Sequence, residues 1–147
     1  MLTKPFAGWT DIIIDIEQVK NLNLSDDKDF FRCSYLTDVP MDLLNQFINC
    51  LETKQEVKVE FDAEGWEHSL IVNHMNSKQI IFYEKNIEIN SEKNIFDLSK
   101  ELIFDIESYF EDWIIWTPEI EFDEKEEIEK RKTEIIELLN KLKELTN

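Results

Sequence analysis

The chain has 147 residues, and its 33 acidic against 16 basic side chains leave a formal charge of −17. Hydrophobic residues make up 42% and charged ones 33%, a mix that folds as one domain without structural disulfides or metal. The charge has the wrong sign for nucleic acid or anionic membranes, and guanidinium groups occur only at Arg32 and Arg131.

Met1 to Gly8 shows no basic segment followed by an apolar stretch of the kind a secretory signal carries. The longest apolar runs, Ile80–Tyr83 and Trp113–Trp116, fall far short of the ~20 residues of a spanning helix, so a cytoplasmic protein is expected. Trp9 to Glu17 alternates, with Thr10, Ile12, Ile14 and Ile16 on one face of a half-buried strand. Asn21 to Lys28 reads as a loop. Asp29 to Leu36 reads as a second strand, with Phe31, Cys33 and Tyr35 sharing a side.

Thr37-Asp-Val-Pro40 predicts a helix start, with Asp38 as the cap and Pro40 in the first turn. Leu43, Leu44, Phe47 and Leu51 then repeat at helical spacing as far as Thr53. Val57, Val59 and Phe61 alternate with Lys58, Glu60 and Asp62. The turn Asp62-Ala-Glu-Gly65 leads into strands over 66–73 and 79–85, with a weaker one around Ile87 and Ile89. Short strands joined by short polar turns form an antiparallel meander.

Beyond Ser91 the period changes. Leu98, Leu102, Ile106, Tyr109, Phe110 and Trp113 line a long helix with Asp97 as its expected cap, and Pro118 stops it or marks the bend that follows. From Asp123 to Thr146 a second long helix carries Ile128, Ile135, Leu138, Leu142 and Leu145, with i,i+4 pairs such as Glu126–Lys130 and Glu137–Lys141. The expected fold class is α+β: an antiparallel meander packed by helices on one face, with two long C-terminal helices. Residues 1–122 form the globular part and 123–147 a helix packed on it.

Eight acidic and six basic residues lie from Asp123 onward, so residues 1–122 hold −15 of the −17. Acidic groups gather at Asp26, Asp27 and Asp29, at Glu60, Asp62 and Glu64, along Asp105, Glu107, Glu111 and Asp112, and at Glu119, Glu121 and Asp123. Such a surface keeps a protein soluble; it also steers cationic proteins toward it.

Residues for other chemistry are scarce. Two glycines, Gly8 and Gly65, rule out phosphate-cradling loops. His68 and His74 have no ligand-spaced partner, so no metal is expected, and Cys33 and Cys50 read as buried small hydrophobes, with their pairing left open. Ser69 beside His68 points to the opposite strand face, and no catalytic group or cofactor is expected. Only part of Trp113-Ile-Ile-Trp116 can face one core; packing under the final helix is the ordinary reading, and the other leaves Ile115 or Trp116 on the surface as a hot spot beside carboxylates. The tail has two readings, folding back on the body or pairing with a second copy, although Arg131 falls on that seam.

The segments Ser34-Tyr-Leu-Thr-Asp-Val-Pro-Met-Asp-Leu-Leu44 and Val59-Glu-Phe-Asp-Ala-Glu-Gly-Trp66 resemble small acidic immunity proteins of bacterial contact-dependent inhibition and polymorphic toxin systems. That resemblance implies a stoichiometric inhibitor of a cognate toxin domain, often a basic nuclease whose active site it occludes. Candidate contact residues, taken by charge and position, are Glu60, Asp62, Glu64, Trp66, Glu111, Trp116, Glu119 and Glu121. The alternative is a non-catalytic adaptor that forms a homodimer through 123–147.

Overall fold

The computed structural model describes residues 1–13, 32–65, 67–74, 78–83, 85–90, 93–116 and 124–147, with the backbone alone for His68, 78–83 and 85–90. It is an α+β fold of two antiparallel sheets and four helices among the described residues.

The first sheet pairs β1 (Trp9–Asp11) with β2 (Arg32–Ser34), Thr10 opposite Cys33. The predicted alternation holds where it is described, with Thr10 and Ile12 buried. Ile14, Ile16, Phe31 and the predicted loop fall outside the described residues. Tyr35 departs from the expectation. It sits past the end of β2, in the turn before the first helix, and is exposed while its neighbour Ser34 is buried.

The N-terminus supplies a ladder that alternation alone did not reveal. Leu2 bridges Ile12, Thr3 N–H donates to the Asp11 carbonyl, and Phe6 and Trp9 exchange two backbone hydrogen bonds of 2.9 and 3.0 Å. Ala7 and Gly8, with φ of 50° and 80°, form the two-residue turn between them. Positive φ at both central positions matches the right-handed twist of the flanking strands.

Helix α1 (Val39–Thr53) ends at Lys54 in the left-handed conformation, with its N–H donated to the Cys50 carbonyl. Its apolar stripe is buried at Leu43, Leu44, Phe47, Ile48 and Cys50. Asp38 occupies the N-cap position, yet its side chain makes no capping bond. A stronger partner draws that carboxylate away.

Strands β3 (Val57–Asp62), β4 (Glu67–Val72), β5 (Lys78–Tyr83) and β6 (Lys85–Asn90) follow one another as the predicted meander. Val57, Val59, Phe61, Leu70 and Val72 bury one face against α1, while Lys58 and Glu60 are exposed on the other.

The predicted helix over 98–113 is broken in two. α2 (Ile95–Ser108) and α3 (Phe110–Ile114) meet at Tyr109, where φ −127° and ψ 36° leave the helical region. The indole of Trp113 reaches back to the Asp105 carbonyl at 3.4 Å, partnering one of the acceptors that the break exposes. Asn94, not Asp97, caps α2: its side chain accepts from the amides of Phe96 and Asp97, while Asp97 returns a bond to the Asn94 amide. The reciprocal arrangement places the acid three residues inside the helix.

α4 (Lys125–Thr146) runs across α1, α2 and α3 rather than over the sheet. Ile135, Leu139 and Leu142 complete the same apolar cluster as α1 and the meander. The stripe proposed as a dimer seam therefore packs within the chain. Lys141 reaches Glu52 of α1 at 2.8 Å, and Lys130 forms an i,i+4 pair with Glu134 at 3.9 Å, where Glu137 and Glu126 were the expected partners.

Neither cysteine forms a disulfide. Burial pushes the Cys33 thiol far above its ordinary range, helped by the negative charge of Asp11. Burial also raises that of Cys50, against a backbone hydrogen bond from Val57. A thiol-specific reagent at pH 8 is expected to label neither residue until denaturant unfolds the chain. Because the folded state holds these protons more tightly, stability should fall as pH climbs through the ordinary thiol value near 9. Rapid labelling of native protein would contradict both statements.

Candidate partner-binding site

One end of the molecule gathers elements distant in sequence around Thr37. The Thr37 hydroxyl accepts the Asp62 amide at 2.7 Å, and the Thr37 carbonyl accepts the Trp116 indole N–H at 3.0 Å. Ser34 Oγ approaches Asp62 Oδ1 at 3.4 Å, and that same carboxylate oxygen accepts the Glu64 amide at 2.7 Å. The start of the β3–β4 turn, the turn before α1 and the end of α3 are thereby joined.

Beside this junction lies a groove of about 490 Å³ lined by Phe6, Ala7, Gly8, Tyr35, Asp112, Ile115 and Trp116, with Pro5 at its edge. Phe6 is 80% exposed, Leu36 50%, Ile115 46% and Tyr35 39%, although each is a large apolar or aromatic residue. The turn at Ala7 and Gly8 holds Phe6 outward, and Ala7 adopts a left-handed conformation that disfavours any Cβ. Gly8 is constrained twice, by its φ and by the Tyr35 ring, which would lie 3.0 Å from an added Cβ. Gly8→Ala should cost about 1–2 kcal/mol and displace the Tyr35 ring, whereas Ala7→Gly should be neutral or stabilising by up to about 1 kcal/mol. Denaturation midpoints of the pair check the turn assignment; equal effects would refute it.

Trp116 is not the exposed aromatic. It is buried at 3%, packed edge-on against Trp113 at 5.4 Å between ring centres, and forms the floor of the groove. Ile115 takes the surface position, the other outcome its spacing allowed. Of the remaining candidates, Asp62 and Glu64 lie at the hairpin end of the Thr37 junction. Glu60 is elsewhere, in a depression between α1 and β3 with Asp42, Asn45 and Gln46. Burial and the neighbouring charge of Asp38 raise the Asp42 carboxyl above its usual range. Glu111 faces α4, where Lys132 stands 4.0 Å away, and it is Asp112 that lines the groove. Trp66, Glu119 and Glu121 fall outside the described residues.

Along the described helices three carboxylates pair closely with lysines, Glu52 with Lys141, Glu101 with Lys93 and Glu107 with Lys143, at 2.5–2.8 Å. Around the groove the pairing is looser: Asp112 lies 3.9 Å from Lys4 and Glu111 4.0 Å from Lys132. The cation best secured there belongs to the framework. Arg131 of α4 is buried and forks onto both Asp38 carboxylate oxygens, with a further bond from Nη2 to the Trp116 carbonyl at 2.9 Å. It also reaches the Trp113 carbonyl at 3.3 Å. This fork explains the absent cap at α1 and ties the tail helix to the groove floor.

Phe6, Tyr35, Leu36 and Asp112 were missed from the sequence. Phe6-Ala-Gly8 ahead of an alternating strand is the one signal that would have found the first of them, since a short turn there exposes the preceding side chain. Among the described residues no group of three His, Cys, Asp or Glu is placed to hold a metal ion, and no helix is long and apolar enough to cross a membrane. Comparison with protein-family profiles, curated proteins and solved structures returned no match.

Proposed function

We propose that the chain is a stoichiometric inhibitor of a basic protein partner, and specifically an immunity protein that neutralises a cognate bacterial toxin domain. The observation that carries the reading is the exposed group of Phe6, Tyr35 and Ile115 around one groove, beside loosely paired carboxylates. Large apolar side chains inside a polar, charged rim have the make-up of an interface hot spot. The net charge of −17 supports a cationic partner, because opposite fields speed encounter and suppress wrong contacts. The two segments that resemble immunity proteins meet at this same junction through Thr37 of the first and Asp62 of the second. Trp116 serves as floor rather than anchor in this reading, and Glu60 and Glu111 supply long-range charge rather than contact.

Co-expression with the product of the adjacent gene tests the proposal. Rescue of otherwise lethal expression, with a one-to-one complex on purification, is the expected result. The association rate should then drop at least about tenfold as salt shortens the reach of the charges. A harmless neighbour, or a complex whose association ignores ionic strength, would overturn the reading.

A further inference from the structure

We infer that the groove at Phe6, Tyr35, Ile115 and Trp116 receives an arginine side chain of the partner, with Asp112 as its counter-charge. The inference rests on the docking face described above and names the chemical group that enters it. Among the described residues the lining combines aromatic and aliphatic carbon with the carboxylate of Asp112, and that combination favours a flat, weakly hydrated cation over either a plain hydrocarbon or an anion. A buried lysine ammonium would give up more hydration for the same charge.

The chain already keeps a cation of its own at this rim. Lys4 stands 3.9 Å from Asp112, 5.7 Å from the centre of the Tyr109 ring, and is 61% exposed. At that distance and exposure the pair is held loosely, unlike the Arg131 fork beneath it. Lys4 is therefore a displaceable occupant of the outer edge, and a guanidinium that can fork onto the carboxylate while lying on a ring outcompetes it. Displacement also matches the surplus of negative charge, since the entering cation replaces one that can swing into water.

The probe is N-acetyl-arginine methylamide, compared with the lysine and norleucine equivalents, titrated into the full chain and followed by amide and indole chemical shifts. The arginine compound is expected to shift the Trp116 indole N–H and the Ile115 and Tyr35 amides saturably, and to bind several-fold tighter than the lysine compound. Asp112→Asn should weaken it by up to about fivefold and Phe6→Ala by about tenfold, both at positions exposed enough to leave the fold intact. Lys4→Ala should tighten it. Norleucine binding as well as arginine, or no saturable shift at these residues, overturns the inference. In either case rescue by co-expression still decides the inhibitor reading, so the two failures are distinguishable.

Discussion

Replacing Arg131 by methionine is expected to destabilise the protein by about 2–4 kcal/mol, somewhat below the range for breaking a fully buried ion pair because the Asp38 side chain stays 30% exposed. The methionine fills the aliphatic volume but leaves three kinds of acceptor behind: both Asp38 oxygens, the Trp116 carbonyl and the Trp113 carbonyl. At this chain length such a loss lowers Tm by roughly 4–16 °C, at about 2–4 °C per kcal/mol. Combining Arg131→Met with Asp38→Leu should recover part of the deficit, since a matched apolar pair no longer strands a charge. The remainder measures the two carbonyls. A single-mutant loss below about 1 kcal/mol, read from the denaturant midpoint, would show that the fork is solvated and holds nothing together.

Trp113→Ala should be comparably severe, costing about 3–5 kcal/mol, because the side chain is fully buried and its removal leaves a cavity that the α3 turn cannot close. Two specific contacts go with it, the edge-on packing against Trp116 and the indole bond to the Asp105 carbonyl. Trp116→Phe provides the contrast. It keeps most of the apolar volume, loses one hydrogen bond to Thr37 and should cost about 1–2 kcal/mol. It also frees the Thr37 turn, so the proposed capture of a basic partner should suffer more than stability does. Equal losses at the two tryptophans would remove the distinction between a core support and a groove floor.

Most of the framework was legible because period and burial agree. Val57, Val59 and Phe61 alternate and are buried; Leu43, Leu44 and Phe47 repeat every three or four residues and are buried. The places where the reading failed are set by partners distant in sequence. Asp38 has the right identity and position for a cap, but local rules do not see an arginine 93 residues away with a forked geometry to offer. The continuous stripe from Leu98 to Trp113 satisfies helical spacing, yet the chain breaks at Tyr109, whose backbone leaves the helical region while its neighbours on both sides stay helical. Asp97 was misplaced by a single helical turn, since Asp and Asn at either end of a capping box are interchangeable to a reader of composition.

The candidate site was less legible for the same reason. Acidity identified Glu60, Asp62, Glu64 and Glu111, but carboxylates are too abundant here for charge to locate a surface. Exposure did the locating, at Phe6, Leu36 and Ile115, and exposure is a property of the folded chain. Asp62 and Trp116 are linked through Thr37, a residue with no charge and no apolar bulk to draw notice in the sequence.

The Arg131 fork has a consequence for how the groove can open. Its floor at Trp116 is braced from α4, so lifting that helix and loosening the floor become a single event, and the amides of α4 around Arg131 should exchange with solvent in step with the Trp116 indole N–H.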